Sequence, residues 1–477
     1  MPSAPPKATA RLGAKLRQLR RQEGLSQVQL AERLSISPSY LNLIEGNKRP
    51  LTAPLLLRLA QTFHLDLRAF APEDDVRRAE DLMEAFGDPL FEAMDLPSQD
   101  VRDLAQNHPA LAQAVFHLYQ TYQATKSGLD TLADRFNDGQ GFTTDRTHLP
   151  SEAVGDFLQD HRNHFPELES AAEALWKDAK LEQDLLYPGL LKAFEELKVR
   201  VEVRQAESMP GQLRRYDPER KVLVLSELLP LRSRVFQLAH QWALLRHGDL
   251  LDQLTIDPHL ATPGARVLGR VALANNLAAA VGMPYTPFLK AAKAVRYDIE
   301  LLTRRFQVGF EQACHRLTTL RRPNEEGVPF HFLRIDIAGN ISKSFSASGI
   351  RIARYSGCCP RWNVHAAFLT PGLVRVQLSE MPDGRRYFCI ARTLHRDTGT
   401  FRGQHAAQAL GLGCELAYAR ELVYSDGVRL DQPPVPVGVT CRLCDRTDCE
   451  QRAFPPLQHP FKVDENLRRS SFYAGLE

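Results

Sequence analysis

The sequence predicts a multidomain α+β protein: an N-terminal all-α helix-turn-helix unit, a helical linker, an α+β domain and a sheet-rich C-terminal domain. Three observations carry this expectation. The 477 residues exceed the ~100 to 200 that one domain usually holds. Helical apolar spacing fills the N-terminal part, whereas alternating, strand-like runs come only further along. All eight cysteines lie between Cys314 and Cys449, which sets the C-terminal part apart chemically. A hydrophobic share of 43% beside 25% charged residues excludes disordered and collagen-like chains. The opening MPSAPPKATARLG lacks the apolar core of a signal peptide, and no stretch reaches the ~18 apolar residues of a membrane span. The expected location is the cytoplasm, with no membrane partner.

Residues 1–73 are expected to form the first domain. Net charge is +3, yet the first 50 residues hold nine Lys/Arg against three Asp/Glu, so the positive charge is local and suits a polyanion. Leu12, Leu16 and Leu19 recur at helical spacing among Arg11, Lys15, Arg17, Arg20 and Arg21, and Gly24 ends that helix. Ser26 and Gln29 form a capping box for a second helix, whose expected buried face is Val28, Leu30, Ala31 and Leu34. Ser37 is an N-cap and Pro38 the first helical position of a third helix, with Leu41 and Ile44 inward. A fourth carries Leu55, Leu56, Leu59 and Phe63. Two short helices joined by a tight turn, between supporting helices, place the second of them in the major groove of DNA. Ser39, Tyr40 and Asn42, with Leu43 beside them and Ser37 at the helix start, then face base edges. Gln27, Asn47, Lys48 and Arg49 flank that face for phosphate contact. The segment GLSQVQLAERLSISPSYLNLIEGNKRPLT resembles the XRE (Cro/C1-type) helix-turn-helix family over about sixty residues. That resemblance implies sequence-specific binding to double-stranded DNA, usually as a dimer on a palindrome.

The second domain, 74–145, reads as a charged helical linker. LAQAVFHLYQTYQ puts Leu111, Val115 and Leu118 on one face, a surface suited to dimerisation, and the turn-rich DRFNDGQGFTTDRTHLP sets a boundary near residue 146. The third domain, 146–322, mixes helices with the apolar runs VRVEV and KVLVL. LRSRVFQLAHQWALLRHG resembles the helix bearing H-E-x-x-H in IrrE/ImmA-type metallopeptidases, and ANNLAAAVGMPY resembles that family's downstream segment. Zinc hydrolysis requires two histidines one helical turn apart and a glutamate base. His240 is present, but Gln241 and Leu244 hold the other two positions, and ANNLA has no carboxylate. A neutral amide accepts no proton at pH 7 and one imidazole holds no catalytic zinc, so no enzyme activity is expected. His240 is then a hydrogen-bonded, half-buried side chain. The scaffold still has a cleft, to which Arg200, Arg204, Arg214, Arg215 and Arg296, with Tyr297, bring groups that an anionic ligand can use.

In the last domain, 323–477, FHFLRIDIAGN alternates like a strand, and LVRVQLSEMPDGRRYFCIAR reads as a hairpin turning at Asp383-Gly384. Cys441, Cys444 and Cys449 are spaced C-x2-C-x4-C. Cys359 in SGCCPRWNVH is the candidate fourth ligand, with Cys358 and Cys414 in reserve. Four thiolates suit structural zinc or a [4Fe-4S] cluster, and the spacing does not separate the two. Reduced thiols without a metal are the plain alternative.

The order of these parts resembles the XRE-type short-chain fatty-acyl-CoA-responsive transcriptional regulators over nearly the whole chain. The pieces that carry it are ISPSYLNLIE, DIAGNISKSFSASG, SGCCPRWNVH, MPDGRRYF, GLGCELAYA and CRLCDRTDCEQRAFP. The resemblance implies a homodimer controlling propionate and other short-chain fatty-acid genes, with an iron-sulfur cluster in some members. It also implies an acyl-CoA effector, propionyl-CoA or acetyl-CoA, in the middle domain; the expected contacts are Arg200, Arg204, His240, Leu244, Arg296 and Tyr297. Where many relatives read ISKRFSA, this chain has Lys343-Ser344, one base fewer. The phosphates of coenzyme A suit arginines, while each buried methylene adds ~0.8 kcal/mol, so a graded preference among acyl chains is expected. The alternatives are a redox or iron-sulfur-sensing transcription factor and, further off, a zinc peptidase.

Overall fold

The computed structural model describes residues 13–46, 48–49, 51–63, 72–91, 94, 96–138, 150–353, 358–396, 406–442 and 444–454. The chain divides into two compact units, one mainly within Met1–Thr147 and the other mainly within His148–Ala453.

The first unit begins with four helices, α1 (Gly13–Gln22), α2 (Gln27–Arg33), α3 (Pro38–Glu45) and α4 (Ala53–Phe63). Leu16, Leu30, Leu41, Ile44 and Leu59 are fully buried at their centre. The expected caps are made: Ser26 and Gln29 exchange side-chain and backbone bonds, and the Ser37 hydroxyl accepts from the Tyr40 amide at 3.1 Å. Gly24 terminates α1 at φ +64°, a conformation that costs glycine little. Val28 corrects the expected face of α2. It is 52% exposed, because the core side of a seven-residue helix is filled by Leu30, Ala31 and Leu34. Leu12 lies outside the described residues.

Three further helices, α5 (Pro72–Phe86), α6 (Ser98–Asn107) and α7 (Pro109–Asp138), pack around Leu82, Val101, Ala105 and Ala112. On α7, Val115 leans on this core, while Leu111 and Leu118 are 54% and 69% exposed. The boundary expected near residue 146 lies outside the described residues.

The second unit opens with α8 (Pro150–Asp160), α9 (Pro166–Asp178) and α10 (Leu186–Glu196), then β1 (Arg200–Arg204), β2 (Arg214–Asp217) and β3 (Val222–Ser226). The strand order is β1-β3-β2, with β3 buried throughout. The helices α11 (Leu231–Arg246), α12 (Gly248–Leu254), α13 (Pro263–Gly282), α14 (Tyr285–Ala294), α15 (Ile299–Phe306) and α16 (Phe310–Thr318) follow, with α13 packed between α9 and α11. Next comes a six-stranded sheet of order β5-β4-β8-β7-β6-β9. It is built from β4 (His331–Asp336), β5 (Ile341–Ser346), β6 (Arg375–Glu380), β7 (Arg386–Arg396), β8 (Ala406–Glu415) and β9 (Val435–Pro436), with a short helix α17 (Asn363–Ala366) before β6. Asp383-Gly384 turns the expected β6–β7 hairpin, with Gly384 at φ +82°.

One apolar core runs from Ala279 to Leu422, joining α13–α16 to a face of the large sheet across residue 322. Beside it, fully buried Arg316 clamps Glu169 through both Nη atoms at 2.5 and 2.8 Å and donates to the Met283 carbonyl. With a further Arg316 bond to the Thr319 hydroxyl, this ion pair fixes α16 against α9.

Candidate functional site

On α3, burial of Leu41 and Ile44 leaves Ser39, Asn42 and Leu43 exposed along one face, and Tyr40 half-buried beneath the Arg49 guanidinium, 6.0 Å from its ring centre. The Lys48 and Arg49 amides donate to the Leu43 carbonyl, which curls the following loop back so that both bases stand at the end of that face. Ser37 is spent on the cap. Asn47 lies outside the described residues.

What holds this face is Glu45, whose side chain is fully buried. Arg20 on α1 donates to it at 2.7 and 3.2 Å, and Gln27 on α2 at 2.8 Å, while Arg17 caps the Glu45 carbonyl at 2.9 Å. Burial opposes the Glu45 charge, yet the Arg20 and Gln27 hydrogen bonds outweigh it and hold the carboxyl below its usual value. Gln27, which also reaches Asn42 at 3.5 Å, therefore braces the reading helix. Sequence reasoning counted these arginines only as positive charge. The signal it passed over was an acidic residue alone at the end of a helix otherwise free of charge.

In the larger unit, α11 buries His240 and Gln241 and leaves Leu244 half-buried against the core. His240 is met by Arg214, Nη1 to Nδ1 at 2.5 Å, while the backbone of Val271 on α13 favours the protonated ring. Desolvation first, and then the Arg214 charge, push its pKa down to about 4, so the ring is neutral at pH 7. Nδ1 is committed to the Arg214 guanidinium, which takes its lone pair from any ion. Arg214 itself has no carboxylate partner among the described residues, and burial lowers its pKa. The strand that brings it here, β2, was not foreseen, since RRYD carries no apolar alternation.

The other expected contacts lie elsewhere. Arg200 and Arg204 are on β1, the opposite edge of the small sheet from β2, and both pair with Glu202 at 2.9 and 2.6 Å. Arg296 grips Asp426 at 2.8 and 2.9 Å and the Arg420 and Leu422 carbonyls, while the buried Tyr297 hydroxyl accepts from the Val328 amide. Those two residues fasten the helices to the strand domain. Of the six residues expected at an acyl-CoA site, His240 and Leu244 thus share one helix, and the other four serve separate contacts.

Cys441 and Cys444 lie within electrostatic reach of Cys359, and Cys449 within reach of Cys444. Burial pushes the Cys359 and Cys444 thiols up; amides of Gly438 and Arg361 on the former, and of Arg446 on the latter, work the other way. The Ala453 amide points at Cys441 Sγ at 3.5 Å. Arg452, 5% exposed, donates to the Cys441, Cys444 and Arg446 carbonyls and folds the loop around itself. Amide hydrogens directed at sulfur favour thiolate, so the donor set fits a soft metal group. Among the described residues, however, no three ligating side chains are gathered closely enough to hold an ion. Of the reserves, Cys358 sits 3.1 Å from His365 Nε2, and Cys414 is fully buried in the large sheet. No helix among the described residues is long and apolar enough to cross a membrane.

Comparison with known proteins follows the same divisions. Residues 11–71 match a helix-turn-helix domain, 194–318 the IrrE N-terminal-like domain, and 319–473 the C-terminal domain of short-chain fatty acyl coenzyme A regulators. The HTH-type transcriptional regulator RamB of Mycobacterium tuberculosis is 39% identical over 468 residues, covering 97% of this chain and 98% of the relative. PrpR of the same organism is 39% identical, over 98% of this chain and 96% of its own. The propionyl-CoA carboxylase regulator of Cereibacter sphaeroides is 39% identical across 96% of both chains. A solved structure described as a Mycobacterium tuberculosis transcriptional regulator superposes with a TM-score of 0.66 at 42% identity, over 69% of this chain and all of that one.

Proposed function

This chain belongs to the short-chain fatty acyl-coenzyme A regulator family, and from that premise we propose that it senses propionyl-CoA or acetyl-CoA and sets transcription of short-chain fatty-acid and propionyl-CoA metabolism genes accordingly. It is a helix-turn-helix transcriptional regulator. The observation that carries the reading is the union of an α3 face bearing Ser39, Tyr40 and Asn42 with a chain matched along its length to regulators of that kind. In this reading those side chains meet base edges, and Lys48 and Arg49, with Asn47, meet phosphates. Gln27 and Ser37 act one step back, holding the helix that reads.

The chain acts as a homodimer on a palindromic operator in the cytoplasm, and the exposed Leu111 and Leu118 of α7 supply part of the dimer contact. For the coenzyme's anionic part, the reading is supported by Arg214, a cation that meets His240 and has no carboxylate partner among the described residues. The protein is not a peptidase, because Gln241 supplies no base and His240 is occupied. Cys359, Cys441, Cys444 and Cys449 hold a [4Fe-4S] cluster or zinc that ties the last loop to the sheet. The C-x2-C-x4-C spacing of Cys441, Cys444 and Cys449 favours one second reading, a redox or iron-sulfur sensor. Anaerobic purification separates the options: a broad band near roughly 400 nm means iron-sulfur, a colourless metalloprotein zinc.

The test of the main reading is operator selection from a random duplex pool, followed by binding with and without propionyl-CoA. A several-fold change in operator affinity supports it; indifference to every acyl-CoA removes it.

A further inference from the structure

The segment DIAGNISKSFSASG, which carries part of the family resemblance, folds as the turn and outer strand of the β4–β5 hairpin. β5 is the outermost strand of the large sheet. Among the described residues its outer edge is hydrogen-bonded only at Ser346, where the Gln159 side chain on α8 exchanges two bonds with the backbone at 2.6 and 3.1 Å. Upstream, Ser342 and Ser344 are exposed and Lys343 between them is half-buried, so small molecules in solution reach this stretch.

Strand pairing sets Lys343 directly opposite Arg334, like charges side by side. The helix α16 packs on β4 here and brings Glu311 and His315, one helical turn apart. Glu311 is the one carboxylate that bears on the Lys343 amine among the described residues, and Arg334 has taken it, Nη1 to Oε1 at 2.6 Å. The Arg334 Nε donates to the Ser342 hydroxyl at 2.9 Å. Lys343 is left with its amine 5.8 Å from the centre of the Phe332 ring and no hydrogen bond or ion pair among the described residues. His315, 8% exposed, lies edge-on to the same ring at 6.2 Å. Burial first, then the charges of Lys343, Arg316 and Arg334, hold His315 unprotonated, so it supplies no charge of its own.

An ammonium that is desolvated, set beside a guanidinium and denied a carboxylate gives up its proton readily. Burial above all, opposed by Glu311 and helped by Arg334, brings Lys343 down to about 8. A lysine of this kind is a nucleophile towards carbonyl carbon near neutral pH, where ordinary lysines are almost wholly protonated.

We propose that Lys343 is a self-acylation site, whose Nζ takes the acyl group of a short-chain acyl thioester. The Nζ lone pair adds to the thioester carbonyl carbon and the C–S bond breaks. Sulfur departs as a thiol with the proton that the nitrogen gives up. The products are an N-acyl-lysine amide and a free thiol, and no further reactant is needed. Acylation removes the positive charge facing Arg334 and outlasts the departure of the donor, so the hairpin would record cumulative exposure to thioester. The inference rests on the acyl-CoA reading above for its natural donor, and on the β4–β5–α16 geometry for the amine.

The test treats the full-length protein with propionyl-CoA and, separately, with S-propionyl-N-acetylcysteamine, a thioester without the nucleotide. Peptide mass spectrometry follows each lysine over roughly pH 6 to 10. The exposed Lys192, Lys221 and Lys290 are internal controls. Lys343 should be propionylated about tenfold faster than these near neutral pH. Its rate should level off near pH 8, whereas theirs climbs towards ~10.4. Lys343→Arg should fold as the parent does and lose the fast reaction. Glu311→Gln removes the carboxylate that favours the ammonium, so the levelling should move to lower pH, with tryptophan fluorescence confirming the fold. Propionylation of Lys343 no faster than that of the exposed lysines with both thioesters, or a profile unmoved in folded Glu311→Gln, would overturn the site. Fast reaction with the small thioester, without calorimetric binding of propionyl-CoA, would support the site and remove the effector reading. Propionyl-CoA binding with a Lys343 inert to both thioesters would do the reverse.

Discussion

Replacing Glu45 by glutamine tests how the reading helix is held. The carboxylate accepts from Arg20 at 2.7 and 3.2 Å and from Gln27 at 2.8 Å, with its side chain wholly buried and that of Arg20 only 15% exposed. An amide keeps one acceptor oxygen and no charge, so at least one charge-assisted bond is lost and the Arg20 guanidinium is left underpaired. At roughly 1.5 to 3 kcal/mol per such bond, Glu45→Gln should cost about 2 to 4 kcal/mol of local stability. All three tryptophans, Trp176, Trp242 and Trp362, lie in the larger unit, so their fluorescence is blind to this change. Hydrogen exchange of α1–α3 reads it directly, and protection should fall by more than about tenfold, since 1.4 kcal/mol is a factor of ten. The pH dependence has a definite sign. The folded pKa of Glu45 lies below its unfolded value, so its contribution is complete above the unfolded value and is lost as pH falls through the folded one. The parent should therefore lose α3 protection in acid, and the variant should not show that loss. Equal protection in parent and variant at neutral pH would refute the brace.

Other expectations concern separate parts of the chain. Asn42→Ala should relax sequence preference, whereas Lys48→Ala should weaken binding to every duplex and flatten its salt dependence; identical behaviour would mean the two faces are misassigned. Arg214→Met should raise the His240 pKa from about 4 by removing a cation, seen as a histidine carbon shift that titrates at higher pH; an unmoved titration would show the contact to be incidental. Glu169→Ala should destabilise the larger unit by about 3 to 5 kcal/mol, because Arg316 would remain buried without a counter-charge, and urea unfolding followed by tryptophan fluorescence measures this. Cys441→Ser should release metal and lower solubility; a folded, metal-free variant with a normal DNA response would reduce the cluster to ordinary thiols.

The helical head was legible because its signals are local. Ser26 with Gln29 and Ser37 with Pro38 declare helix starts within four residues, and the structure bears out both caps. Val28 was misplaced because a seven-residue helix is too short for apolar spacing to fix its buried arc. Strands rich in branched residues, such as β3, were visible, while β8 was not: AAQALGLGCE has alanines and glycines where a sheet usually shows bulk, since those positions make room for His331 and Val364. The contacts that matter most span long separations. Glu45 with Arg20, His240 with Arg214 and His331 with Cys389 each pair residues whose types are informative only once the fold brings them together. The arginines chosen for an anion showed the converse. Glu202 lies between Arg200 and Arg204 in sequence and satisfies both, a local pairing open to view from the start.

The central claim is that acyl-CoA binding and operator binding are coupled through one protein, and coupling free energy is reciprocal. The most direct measurement is propionyl-CoA affinity for the free full-length protein and for its operator complex, at one salt concentration. If propionyl-CoA changes operator affinity by some factor, the operator must change propionyl-CoA affinity by that same factor, several-fold or more. Tight propionyl-CoA binding of equal strength with and without operator would contradict the claim.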